Sequence, residues 1–195
     1  MRQEQFNLTR AQTIRKEIDR LLAGVQKPVI VAIDGVCGGG KTTLGRWLAV
    51  QYDCNLFHMD DFFLRKEQRT QERYAQPGGN VDYERFYEEI LKPILEGREC
   101  DYRKLTCSTL TLGEPERIGW KRLNIIEGSY SQHPYFGNPY QLCIFLDLPP
   151  EEQYRRLLAR APEKINRFAE EWIPMENQYF EAYAIRDKSL CIEMR

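Results

Sequence analysis

The fold of this chain is decided by Gly35-Val36-Cys37-Gly38-Gly39-Gly40-Lys41-Thr42, a stretch that matches G-x-x-x-x-G-K-[S/T] at every fixed position. It follows the short apolar run Val29–Ile33, which is typical of a strand buried on both faces. The pattern after it, over residues 42–51, predicts a helix. A glycine-rich turn between a buried strand and a helix is the arrangement that a phosphate-binding loop needs, so we predict that this segment binds nucleotide phosphates.

The residue types in the loop indicate how a nucleotide would be held. Glycines permit a nest of inward N–H groups, and the helix that follows points its positive end at the same anion. We expect Lys41 to reach the β- and γ-phosphates and the Thr42 hydroxyl to ligate Mg²⁺. ATP and Mg²⁺ are therefore the predicted cofactors. The predicted nucleotide-binding residues of the loop are Gly35, Gly38, Gly39, Gly40, Lys41, Thr42 and Thr43.

A phosphate loop alone does not separate kinases from GTPases, motors or transport ATPases. The guanine-reading pattern N-K-x-D and the L-S-G-G-Q pattern of transporter ATPases are both absent from the sequence. At 195 residues the chain is also too short for a full motor module. The remaining prediction is a small-molecule kinase, and a nucleotide-binding ATPase switch is the alternative from another class.

Length, charge and cysteine spacing disfavour several other classes of function. The length fits one domain over residues 1–195, and a formal net charge of −1 disfavours a nucleic-acid partner. The six cysteines show no zinc-type spacing, and we expect them reduced in the cytoplasm. No apolar run could cross a bilayer, so no membrane partner is expected. The expected partner is a small molecule with a hydroxyl group, and homo-oligomerisation stays open.

The hydrophobic pattern predicts strands that alternate with helices. Further strands are predicted at 55–59, 123–126, 142–146 and 190–194. Further helices are predicted at 8–22, at 82–97, from Pro149-Pro150-Glu151-Glu152 onward, and at 168–185. The polar stretch 64–81, with Pro77-Gly78-Gly79-Asn80, predicts a loop. Alternating strands and helices imply an α/β fold of three layers, a mostly parallel sheet covered by helices on both faces.

Acidic residues follow two of the predicted strands. Asp60 and Asp61 end the second strand, and Glu127 ends the strand over 123–126. Ligands of open α/β sheets bind at the carboxyl ends of strands, where Asp60 could accept the proton of an attacking hydroxyl. Glu127 could hold Mg²⁺ or orient the acceptor. The plainer alternatives are a helix cap for either aspartate and a surface acid for Glu127.

Three motifs in this order resemble the uridine kinase-like family of P-loop kinases. They are D-G-x-x-G-x-G-K-T-T at 34–43, M-D-D-F-F at 59–63 and I-I-E-G at 125–128. The resemblance covers residues 29–185, and the family also includes nicotinamide riboside kinases, phosphoribulokinases and bacterial pantothenate kinases. It implies that Asp60 is the general base and that Glu127 lies near the metal and the acceptor.

The resemblance further implies an acceptor-binding insertion over 64–112. Within it, Asp82 matches an aspartate that holds ribose hydroxyls, with a helix cap as the alternative. Tyr102 matches a tyrosine that reads the pyrimidine, but the accompanying histidine is replaced by Cys107. A thiol is a weak hydrogen-bond donor and does not copy an imidazole. The base, and with it the acceptor, is left open at this point.

A basic stretch falls where these kinases carry a lid, over 155–170. Arginines that close over the phosphates would neutralise charge on the transferring group. We assign Arg160 to catalysis, Arg167 to the nucleotide and Arg156 to the substrate, with a solvated helix face as the alternative. The preferred reaction is phosphorylation of the 5′-hydroxyl of a nucleoside such as uridine. A vitamin, nicotinamide riboside or a sugar phosphate is the alternative acceptor.

Overall fold

The computed structural model describes residues 8–24 and 27–194. Of the predicted N-terminal segment 1–27, residues 1–7, 25 and 26 lie outside these ranges. Helix α1 spans Leu8–Gly24, and its residues Ala11, Ile14 and Ile18 are buried in the core. Their spacing of three and four residues places them on one face, as expected for an amphipathic helix packed on a domain.

Nine strands follow in the described residues. In chain order they are β1 Val29–Gly35, β2 Cys54–His58, β3 Cys100–Tyr102, β4 Leu105–Thr106, β5 Thr111–Leu112, β6 Glu116–Ile118, β7 Leu123–Glu127, β8 Leu142–Asp147 and β9 Leu190–Glu193. Five of them form a parallel sheet with the order β2-β7-β1-β8-β9. The predicted parallel α/β sheet is therefore confirmed.

Seven more helices complete the described part of the chain. They are α2 Lys41–Gln51, α3 Gln71–Tyr74, α4 Tyr83–Phe86, α5 Lys92–Leu95, α6 Pro150–Arg160, α7 Ile165–Arg167 and α8 Ile173–Ala182. The π-helical segment Tyr87–Leu91 joins α4 to α5, and Phe168–Trp172 joins α7 to α8. Helix α2 packs against β1, β2 and β7. These contacts hold the phosphate loop at the C-terminal ends of the parallel strands.

Strand burial explains the apolar runs in the sequence. Every residue of β1 and of β7 is buried. The polar residues among them have partners: Asn124 Oδ1 accepts a hydrogen bond of 3.1 Å from Asn55 Nδ2 on the neighbouring strand. Buried polar side chains in a sheet of this kind need such partners, because an unpaired group is costly.

The segment 64–112 is more structured than its sequence indicates. The stretch predicted as a loop contains the 3₁₀ turn Lys66–Gln68 and helix α3. Two antiparallel pairs, β3 with β6 and β4 with β5, were not predicted. These strands have two or three residues each, too few to show a periodic pattern. The predicted helix cap is confirmed, since Asp82 Oδ1 accepts from Arg85 N at 3.2 Å.

Within residues 8–24 and 27–194, none of the helices is both long enough and apolar enough to span a bilayer.

His133 lies in an aromatic cluster beneath the start of α4. Its ring stacks on Tyr83 with centroids 4.2 Å apart, and its Nδ1 accepts a hydrogen bond from Tyr135 N at 3.2 Å. The residue is 5% exposed. Burial lowers the pKa of His133 to about 4, because a charged imidazolium would lose its hydration there.

This histidine should make the fold sensitive to acid. The unfolded chain binds a proton near pH 6.5, but folded His133 does so only near pH 4. Its contribution to the free energy of unfolding is therefore complete above pH 6.5 and is lost as the pH falls toward 4, by roughly 3 kcal/mol. Urea unfolding at several pH values measures the free energy of unfolding, which should fall less steeply between pH 6.5 and 4 for His133→Phe than for wild type. An equally steep fall in both proteins would contradict the lowered pKa of His133.

Candidate active site

The phosphate loop is tightly packed against the sheet. Its glycines at 35, 38 and 40 have φ values of 137°, 77° and 90°, which only glycine adopts without strain. A Cβ atom on Gly35 would stand 2.2 Å from the carbonyl oxygen of Leu146 in β8. The backbone of the loop therefore rests directly on the neighbouring strand, and the glycine pattern is a requirement of the close approach.

Lys41 curls back over the loop. Its Nζ donates to the carbonyl oxygens of Gly35 at 2.6 Å and Val36 at 3.0 Å. An ammonium group carries three donors, and these two bonds use two of them. The charge of Lys41 is thus held against the carbonyl oxygens of the loop.

Glu127 joins the loop to the end of the second strand. Thr42 Oγ1 donates to its carboxylate at 3.0 Å, and His58 Nδ1 bonds to the same carboxylate from β2. The parallel register places His58 directly beside Glu127. The hydrogen bond to Glu127 raises the pKa of His58. His58 was not predicted as a site residue, although its position at the end of β2 was a usable signal.

The two adjacent aspartates lie in the 3₁₀ turn Met59–Phe62 that follows β2. Asp60 is exposed to solvent, yet the surrounding protein and the charge of Glu127 raise its pKa, while Lys41 opposes the rise. Asp60 is therefore an exposed carboxylate with both Lys41 and Glu127 as electrostatic neighbours. Desolvation likewise raises the pKa of Asp61.

The predicted acceptor residues are mostly enclosed. Asp82 is 2% exposed, and besides capping α4 it lies 3.5 Å from the Arg85 guanidinium. Tyr102 is 4% exposed, with its ring stacked on Phe62 at a centroid distance of 5.7 Å. Cys107 is exposed, and desolvation followed by the charge of Asp60 raises its thiol pKa.

The lid arginines occupy three different settings. Arg156 donates to the carbonyl oxygens of Met194 at 2.8 Å and Gly38 at 3.4 Å, so it touches the phosphate loop from outside. The guanidinium of Arg160 lies over the ring of Phe168, 5.3 Å from its centroid. Arg167 lies over Trp172 at 4.8 Å and pairs with a glutamate of its own helical segment. Closure of Arg160 and Arg167 over phosphates stays a prediction.

The residues around Thr42 suit a magnesium-bound nucleotide. A hydroxyl and a carboxylate are hard oxygen ligands, and Mg²⁺ typically takes only one or two such protein groups together with phosphates and water. Within residues 8–24 and 27–194, no group of three or more His, Cys, Asp or Glu side chains could form a complete metal cage. Thr42 and Glu127, whose side chains are joined by a hydrogen bond of 3.0 Å, are the candidate magnesium ligands.

Solved structures share this fold. A protein from Bacillus stearothermophilus described as a possible uridine kinase is 17% identical, with a TM-score of 0.63 over 92% of this chain and 99% of that one. A candidate fructose transport system kinase from a Silicibacter species is 20% identical, with a TM-score of 0.63 over 92% and 95%. D-glycerate 3-kinase from Cryptococcus neoformans is 12% identical, with a TM-score of 0.61 over 88% and 87%.

At these identities the likeness establishes the fold, and the resemblance drawn from the three motifs is confirmed at that level. No protein-family model matches the chain, and no curated protein matches its sequence.

The close approach at Gly35 can be tested directly. Gly35→Ala should lower the free energy of unfolding by at least about 3 kcal/mol, because the new methyl group meets a carbonyl oxygen of β8 and the backbone is strained. Gly119→Ala is the matched control, since a Cβ there meets nothing within 4 Å. Urea denaturation measures both. Similar stabilities for the two variants would show that the loop does not rest on β8 as described.

Proposed function

We propose that this protein is an ATP-dependent kinase that transfers the γ-phosphoryl group to a hydroxyl of a small molecule. The proposal rests on one observation: the candidate site residues lie together at the C-terminal ends of the parallel strands. There the phosphate loop presents Lys41 and Thr42, Thr42 bonds to Glu127 at 3.0 Å, and Asp60 stands in the field of Lys41 and Glu127. A phosphate site and a carboxylate base next to each other are the parts that phosphoryl transfer needs.

On the donor side, the amides of the loop and the amino end of α2 would hold the β- and γ-phosphates. Lys41 would leave its two carbonyl partners and bond to phosphate oxygens, keeping a positive charge beside the transferring group. Thr42 and Glu127 would hold Mg²⁺, which when bound shields the negative charge of the phosphates. His58 keeps the Glu127 carboxylate in place from the β2 side.

On the acceptor side, Asp60 would act as the general base. The acceptor hydroxyl gives its proton to the Asp60 carboxylate as its oxygen bonds to the γ-phosphorus, and the bond to the β–γ bridging oxygen breaks to release ADP. A carboxylate with a raised pKa is a stronger base than one with an ordinary pKa. The exposure of Asp60 leaves it accessible to an incoming hydroxyl.

For the acceptor itself, we propose the 5′-hydroxyl of a nucleoside such as uridine. The motif resemblance supports this choice, as does the shared fold with a protein described as a possible uridine kinase. A different small alcohol is the second candidate. Two observations favour it: Cys107 stands where a base-reading histidine is expected, and the ring of Tyr102 is stacked on Phe62. Segments 64–112 and 155–170 are proposed as the acceptor wall and the lid.

The role of Asp60 predicts a separation of binding from transfer. Asp60→Asn should keep ATP affinity within about threefold and lower phosphoryl transfer by about 10²-fold or more, because the base is lost but the phosphate loop is intact. Wild-type kcat/KM should fall with acid through a pKa above the ordinary aspartate value. Asp53→Asn, at an exposed side chain, is the control. Unchanged transfer in Asp60→Asn would disprove the assignment.

The acceptor class can be decided by an ADP-release assay over nucleosides, vitamins, nicotinamide riboside and sugar phosphates. A nucleoside kinase should give a rate with uridine or cytidine that exceeds the rate without acceptor by at least about tenfold. A rate only with another alcohol would refute the nucleoside assignment and keep the kinase. Steady ADP release without any acceptor, unaffected by Asp60→Asn, would instead favour the ATPase switch.

A further inference from the structure

Cys37 lies at the middle of the phosphate loop and is held from two sides. Its backbone N–H donates to Glu176 Oε2 at 2.9 Å, and its carbonyl oxygen accepts from Gln153 Nε2 at 3.0 Å. Glu176 belongs to α8 and Gln153 to α6. Both side chains are more than nine-tenths buried, at 6% and 8% exposure. One residue of the loop is thus bonded through its backbone to two helices that follow it by more than a hundred residues.

The same face of α8 makes two further contacts. Glu176 Oε1 accepts from the Ser129 hydroxyl at 2.6 Å, so both of its oxygens are used. Three residues later, Tyr179 donates its hydroxyl to Asp34 Oδ2 at 2.8 Å, just before the loop begins. Residues three apart on a helix share a face, so α8 bonds to the chain on both sides of Val36.

Loop composition explains why such contacts matter. Gly38, Gly39 and Gly40 follow Cys37 directly, and glycine loses more conformational freedom on ordering than any other residue. A loop of this kind would have to be ordered by the nucleotide, at a cost in affinity, unless the protein orders it beforehand. Hydrogen bonds to the backbone N–H and the carbonyl oxygen of Cys37 supply that order at the residue before the glycines.

We infer that Glu176 and Gln153 are positioning residues that hold the backbone of Cys37, and through it the phosphate loop, in the shape that receives a nucleotide. The inference rests on the proposed function in that the loop is taken to bind nucleotide. Neither side chain needs to touch the ligand. Removing either one leaves a polar group of the loop backbone without its partner and lets the glycines beyond it move.

The direct test is binding of ADP with Mg²⁺ by isothermal titration calorimetry. Glu176→Ala and Gln153→Ala should each weaken binding by about tenfold, since each removes a buried hydrogen bond that orders the loop. The double variant should bind more tightly than the two losses combined would give, because both side chains hold the backbone of the same residue, Cys37. Glu176→Gln keeps an acceptor oxygen and should stay within about threefold of wild type. Glu181→Ala, at an exposed position of α8, is the matched control.

A second readout needs no nucleotide. Amide hydrogen exchange of the peptide that contains Gly38–Gly40 should be about tenfold faster in Glu176→Ala than in wild type and Glu181→Ala, with the amides of β1 unchanged. If the alanine variants bind ADP like wild type, or if Glu176→Gln is as impaired as Glu176→Ala, the inference is wrong and the proposed function stands. If wild-type protein binds no nucleotide, both are wrong.

Discussion

Strand β1 lies between β7 and β8 in a parallel sheet, and each part of the candidate site depends on that position. The register sets Ile33 beside Glu127 on one side and Gly35 beside Leu146 on the other. Because parallel strands end at the same edge, the loop after β1, the acid of β7 and the turn after β2 meet there. The loop can pack against β8 only because Gly35 has no side chain.

Carboxylates carry most of the charge around Asp60. Desolvation and the charges of Glu127 and Glu176 raise the pKa of Asp60, and Lys41 opposes the rise. A triphosphate would add further negative charge, so Lys41 alone does not balance the site. Backbone amides and the amino end of α2 provide partial positive charge without a counter-ion, and a divalent cation at Thr42 and Glu127 would supply the rest. This charge balance supports the proposal of a magnesium nucleotide as the ligand.

The arginines proposed for the lid make contacts that they could give up to bind a ligand. Arg160 and Arg167 are exposed; Arg160 lies over the buried ring of Phe168, and Arg167 lies over the half-buried ring of Trp172 and forms an exposed ion pair. Contacts of exposed arginines of either kind contribute about 1 kcal/mol or less, so giving them up for a phosphate would cost little. Arg156 is different, because its bonds to Gly38 and Met194 make it part of the outer wall of the loop.

The sequence by itself determined the phosphate loop, the alternation of strands and helices, the acids just after β2 and at the end of β7, and the Asp82 cap. Each of these is a local pattern of spacing or residue type, which a short window of sequence contains. Only the tertiary structure decided the strand order, the bond between His58 and Glu127, and the fixing of Cys37 by Glu176, 139 residues away. Such contacts depend on how distant segments pack, and no local pattern specifies that packing. The short strands β3 to β6 were not predicted for a related reason. Each has only two or three residues, which are held as strands by their partners and are too few to show a periodic pattern.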